Sequence, residues 1–204
     1  MIVLHAVVAR DAAAVAPELR HHDAGQVSVL YEEVADPPGR DSEDVVEHGR
    51  RVVQLAEHVP LLPMRYGTTV PDLERLRAVA EERAEAWSRR LAELAGRCEL
   101  VVHLELSPVP ASVAVSGRDY LKARIEDVRR HDRAVDDARM LVGRWTQEVR
   151  LLVDGRRLAV LLRREDADHA RAALESWGRI RDDLEVTVTG PWPPFSFCEE
   201  VERP

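Results

Sequence analysis

From residue 98 to 189 the hydrophobic pattern switches between the period of a strand and that of a helix, and that order constrains the fold more than any single residue. Residues 98 to 106 alternate, with Leu100, Val102, Leu104 and Leu106 on one face and Glu99, Val101, His103 and Glu105 on the other, as in a half-buried strand. Ser107-Pro108-Val109-Pro110 ends it. Ser116 with Asp119 resembles a capping box that opens a helix through Leu121, Ile125, Val128, Val135, Ala138 and Val142. Two strands at 147–153 and 156–163 follow, joined by Asp154-Gly155, whose tolerance of positive φ suits a tight hairpin. A helix at 166–177, with Ala170, Ala173, Leu174 and Trp177 on one face, stops at Gly178 before a last strand at 183–189. Strand, helix, strand, strand, helix, strand is the split βαβ order of a ferredoxin-like sandwich.

The first half also mixes the two periods, with a less regular count. Residues 2–9 and 26–34 are Val- and Leu-rich strands, and 11–22 hold one short helix. Asp41 or Ser42 caps a helix with apolar positions Val45, Gly49, Val52, Val53 and Ala56, ending before Pro60. Residues 60–66 form a short strand or extended turn. Pro71 suits the first position of a long helix, whose stripe Leu73, Leu76, Ala80, Ala84, Trp87, Leu91 and Leu94 runs down to Gly96. Its seven-residue spacing reads better as a helix covering a sheet than as a coiled coil. The fold class is therefore α+β, with an N-terminal mixed domain over 1–107 and a ferredoxin-like domain over 108–204. The boundary falls where Pro and Ser cluster, near 107–115.

The tail is unusual. Thr189-Gly190-Pro191-Trp192-Pro193-Pro194-Phe195-Ser196-Phe197 carries three prolines, one of four tryptophans and both phenylalanines. Each proline fixes φ and removes a donor, so the segment should run extended, outside helices and central strands. A stiff peptide carrying Trp192, Phe195 and Phe197 suits an apolar groove, on this chain in preference to a partner.

Composition excludes several functions. A net charge of −8 argues against a nucleic-acid surface. Cys98 and Cys198 are too few for a disulfide framework or a zinc site. The opening residues lack a basic stretch and are interrupted by His5, which argues against a signal peptide. No phosphate loop, nucleophile elbow or His-Glu-x-x-His helix is present. His103 and Glu105 share a strand face and could hold a metal only with a third ligand from elsewhere. Arg65 offers a planar fork to a carboxylate or to carbonyls, with locking of the tail the favoured role.

The tail resembles the closing motif of the gas vesicle accessory proteins of the F/L family, Thr-Gly-Pro-Trp-Pro-Pro, an aromatic, Ser-Phe. Leu62-Pro63-Met64-Arg65-Tyr66-Gly67-Thr68 resembles that family's Pro-Met-Arg-Phe-Gly-Thr segment, and Gly117-Arg118-Asp119-Tyr120-Leu121 its Gly-x-x-Tyr-Leu helix start. The departures are Tyr66, Phe195 and the missing aromatic at Thr69-Val70. The resemblance implies a cytoplasmic, non-enzymatic accessory protein that binds the hydrophobic shell protein, other accessory proteins or both during vesicle assembly. It implies no cofactor, metal, nucleic acid or membrane. The interaction candidates are Pro63, Arg65, Tyr66, Gly67, Tyr120, Leu121, Gly190, Pro191, Trp192, Pro193, Pro194, Phe195 and Phe197, with Tyr120 and Leu121 anchoring their helix on the second sheet. The alternative is a small-molecule-binding or enzymatic α+β protein with a site between its domains near Arg65, His103 and Glu105.

Overall fold

The first apolar run forms strand β1 (Ile2–Ala9), buried along both faces except at its last residue. Such a continuous apolar strand needs cover on each side. The structure, a computed structural model, describes residues 1–39, 42–107, 117–153 and 155–198. The expected cap at Asp41, the Pro/Ser boundary from residue 108 onward, Ser116 and Asp154 lie outside those residues.

The chain is mixed α+β and divides into two compact units, Met1–Arg97 with Trp192–Pro204 and Cys98–Pro191. The strand at 98–106 thus belongs to the second unit, and the aromatic tail returns to the first.

In the first unit β1 pairs antiparallel with β3 (Val27–Glu33). On its other edge it pairs with β4 (Leu61–Pro63) and β5 (Thr69–Val70), and β2 (Arg20–Ala24) lies beyond β3. Helix α1 (Ser42–His58) adds Val52 and Leu55 to a cluster with Ala6, Val8, Leu30 and Leu61. The intervening positions Val7, Val29 and Leu62, in register across three strands, are as fully buried. Helix α2 (Leu73–Leu94), which runs against β1 to β4 and buries Leu76, Ala80, Leu91 and Leu94, covers that side.

Three expectations for this unit change. Residues 11–22 hold no α-helix but a 3-10 turn, Arg10–Val15, followed by β2. Arg20-His21-His22-Asp23 has no apolar alternation, and its extended form comes from pairing with β3 after the turn at Gly25 (φ 59°). In α1 the buried line is His48, Val52 and Leu55, while Val45 is exposed. Pro71 precedes the start of α2, because Asp72 is the cap, its Oδ1 accepting from Arg75 N at 2.8 Å.

Gly49 lies inside α1, and a methyl group there would meet nothing within 4 Å. Gly49→Ala is expected to raise stability by about 0.5–1 kcal/mol, measured as a higher urea midpoint at an unchanged slope.

The second unit follows the predicted order: β6 (Arg97–Leu106), α3 (Gly117–Val142), β7 (Thr146–Leu151), β8 (Arg157–Arg163), α4 (Ala167–Arg179) and β9 (Leu184–Trp192). Its sheet is ordered β7-β8-β6-β9. Leu100, Val102 and Leu104 of β6 meet Leu158, Val160 and Leu162 of β8, Ala134, Ala138 and Val142 of α3, and Ala170 and Leu174 of α4. The turn between β7 and β8 contains Gly155 at φ 66°, its N–H donating to Leu152 O at 2.8 Å. Helix α4 runs past Gly178 to Arg179 instead of stopping there.

Tyr120 and Leu121 do not anchor α3. With Ile125 and Val128 they are each more than half exposed, and the buried positions of the helix begin at Ala134. Length explains this, since 26 helical residues span about 39 Å while the ten residues of β6, the longest strand of that sheet, span about 33 Å.

Candidate functional site

The sequence candidates sort into three places. The first is the tail. Gly190, Pro191 and Trp192 end β9, which is an edge strand and so tolerates a proline without a donor. The Arg171 guanidinium of α4 donates to Val188 O at 2.8 Å and to Gly190 O. Beyond Trp192, which is exposed, Pro193 and Pro194 are buried. Phe195 packs on the Val52–Leu55 cluster, and Phe197 is fully buried. Residues 195–197 are not extended but close a 3-10 turn, in which Phe197 N donates to Pro194 O at 3.0 Å. Arg90 of α2 holds this turn from outside, its Nε and Nη2 donating to Phe197 O at 2.8 and 2.7 Å. The aromatic tail is thus docked on its own chain. Its guanidinium clamp is Arg90, and Arg65, expected in that role, is exposed.

The second place is the segment from Pro63 to Thr68, which closes the gap between β4 and β5 along β1. Met64 N donates to His5 O at 2.9 Å, and Leu4 N to Thr68 O at 2.9 Å. Thr68 N and Oγ1 donate to Arg65 O at 3.0 and 2.7 Å, a tight turn that uses Gly67 at φ 78°. Tyr66 donates its hydroxyl to Gly39 O at 3.0 Å and sets its ring edge-on to His48, centroids 5.6 Å apart. Pro63, Tyr66 and Gly67 therefore shape the backbone, and Arg65 contributes its carbonyl.

A bulge in β1 creates something that sequence reasoning missed. The register with β3 slips between Leu4 and Ala6, leaving His5 as the extra residue. His5 and Ala6 then both face α1, Ala6 in the apolar cluster and His5 beside His48. The two imidazoles stack with centroids 5.2 Å apart. His5 Nε2 stands 3.2 Å from Glu32 Oε1, without the alignment of a hydrogen bond, and Arg51 Nη1 is 3.3 Å from Glu32 Oε2. These groups line a cleft of about 240 Å³. The available signal was His5 itself, a polar residue interrupting an apolar strand.

Burial lowers the His5 pKa from 6.5 to about 4; the Glu32 carboxylate opposes the shift, and His48 and Arg51 add to it. An unfolded chain takes up this proton near pH 6.5 and the folded chain only near 4. Between those values the unfolded state binds more protons, so stability is complete above pH 6.5 and falls as pH drops through the window. Urea midpoints measured from pH 7 to 4.5 should decline, and His5→Gln should flatten the decline.

The third place is the exposed start of α3, carrying Tyr120 and Leu121. His103 is half-buried and Glu105 exposed, both on β6. Among the described residues no group of three or more His, Cys, Asp or Glu side chains is placed to hold a metal ion. Neither Cys98 nor Cys198 is in a disulfide; Cys198 Sγ donates to Pro194 O at 3.1 Å, and burial pushes the Cys98 thiol up. No helix among the described residues is long and apolar enough to cross a membrane.

A family model described as gas vesicle synthesis protein GvpL/GvpF matches residues 4–199. Gas vesicle protein F2 of Halobacterium salinarum is 26% identical over 175 residues, covering 82% of this chain and 73% of that protein. Gas vesicle protein F of a Streptomyces species is 24% identical over 220 residues, covering 86% of this chain and 85% of its own. The crystal structure of gas vesicle protein GvpF from Microcystis aeruginosa superposes with a TM-score of 0.74 at 15% identity, covering 98% of this chain and 99% of that one, which establishes a shared fold.

Proposed function

Because this chain belongs to the gas vesicle synthesis protein GvpL/GvpF family, we propose that it is a gas vesicle accessory protein that works by binding and turns over no substrate. Its partners in this reading are the hydrophobic shell protein, other accessory proteins or both, met in the cytoplasm and at the growing vesicle. Two folding domains carry the work, the second a ferredoxin-like sandwich, a reading supported by the order β7-β8-β6-β9.

The observation that carries the proposal is the start of α3. Tyr120, Leu121, Ile125 and Val128 recur at helical spacing on one side and are left in solvent. An apolar stripe of this kind marks an interaction surface, and it suits a partner whose own apolar surface must be covered before assembly. Of the motif residues, Tyr120 and Leu121 meet the partner, and exposed Trp192 flanks the docked tail. Pro63, Arg65, Tyr66, Gly67, Gly190, Pro191, Pro193, Pro194, Phe195 and Phe197 shape the fold.

The double variant Leu121→Glu/Ile125→Glu tests this. Both side chains are exposed, so its stability should stay within about 0.5 kcal/mol of the parent. Association with purified shell protein, or with a co-expressed accessory protein, should weaken about tenfold or more, since burying each apolar side chain contributes about 1.5–3 kcal/mol. Unchanged association would remove the stripe from the mechanism. A parent chain that binds neither class of partner would overturn the binding role itself.

A further inference from the structure

We propose that the cleft between β1 and the first turns of α1 receives one guanidinium cation. His5 and His48 are 2% and 7% exposed, yet among the described residues neither ring is fully satisfied. His48 uses Nε2 toward Met64 O at 2.9 Å, so this nitrogen carries the proton and Nδ1 is left, in the neutral ring, as a buried acceptor without a partner. His5 Nδ1 is likewise unpartnered. A buried acceptor left unmatched costs about 1–3 kcal/mol, so two lining one cleft point to a missing donor.

The rest of the lining selects the donor. Glu32, Asp44 and Glu47 line the cleft with three carboxylates; among the described residues Arg51 pairs with Glu32 and Arg50 pairs with Glu47 at 2.9 Å, which leaves Asp44 as the carboxylate that favours an added cation. Arg51 itself is committed to Glu32 Oε2 and donates to neither ring. The walls are flat, formed by the stacked imidazoles and the Tyr66 ring. A planar, weakly hydrated cation with five donors matches flat walls and dispersed acceptors better than a compact, strongly hydrated ammonium does. At about 240 Å³ the cleft is smaller than sites for drug-sized ligands and accommodates one head group with a short stem. The cation can come from a free guanidino compound or from an arginine side chain of another protein.

The test is a titration of the full chain labelled at histidine, following the ring resonances of His5 and His48 by NMR. Butylguanidinium should produce saturable shifts at these two rings, with a dissociation constant on the order of millimolar for so small a ligand. Butylammonium should bind at least tenfold more weakly. Asp44→Asn, on the exposed rim, and Glu32→Gln should each weaken butylguanidinium severalfold while His103 and His169 keep their folded resonances. An acetylated and amidated Gly-Arg-Gly peptide separates the two sources. Tighter binding of the peptide than of butylguanidinium assigns a protein arginine, and the reverse order a free compound. Absence of saturable shifts, equal binding of butylammonium, or shifts spread over all histidines would overturn the proposal and leave a cleft filled by water.

Discussion

Phe197→Ala is expected to lower stability by about 3–5 kcal/mol, the usual cost of emptying a buried phenylalanine site. Phe197 is fully buried and the largest side chain that is. Its carbonyl takes both donors of the Arg90 fork, across 107 residues of sequence. Arg90→Met, which keeps the aliphatic stem and removes the donors, should cost less, about 1–3 kcal/mol. Urea unfolding followed by tryptophan fluorescence measures both. A change below 0.5 kcal/mol for Phe197→Ala would mean that the tail does not pack where it is seen. Deleting residues 191–197 should be at least as costly, whereas a peptide reserved for partners would be lost without effect on the melting temperature.

Gly178→Ala is expected to destabilise by about 1–3 kcal/mol, opposite in sign to Gly49→Ala although both glycines are helical. A methyl group at Gly178 would sit 2.8 Å from Val186 Cβ and 3.0 Å from its Cγ2, where α4 crosses β9. Real carbon atoms do not approach so closely, so helix or strand must shift. The double variant Gly178→Ala/Val186→Gly removes both contacts, Cβ included, and should lose less than the sum of the two single changes, a coupling that a double-mutant cycle reads directly. Additive losses would refute the contact.

Much of the second unit is legible from residue order. Period-two alternation in β6, the Gly155 turn and the short amphipathic α4 each carry a local signal that tertiary packing reinforces. Other features depend on what lies across from them. Arg20 to Ala24 become a strand only through β3, and no local preference announces it. The apolar positions of α3 are visible as a stripe, but periodicity names a face without saying whether anything covers it, and among the described residues the first half of that face is exposed. Arg90 looks like any arginine on a solvated helix side, and only the return of the tail gives it a carbonyl to hold. His5 reads as an interruption in an apolar run, and its turn toward His48 needs the one-residue slip of β1 against β3.

The return of the tail also sets an order of events during synthesis. Arg90 leaves the ribosome 107 residues ahead of Phe197. At about 5–20 residues per second the seat for that ring therefore waits empty for about 5–20 seconds, long after the strands and helices around it have been made. Throughout that interval the nascent first unit presents an unfilled apolar socket, which chaperones or another greasy segment can visit before the chain's own phenylalanine arrives to seal it.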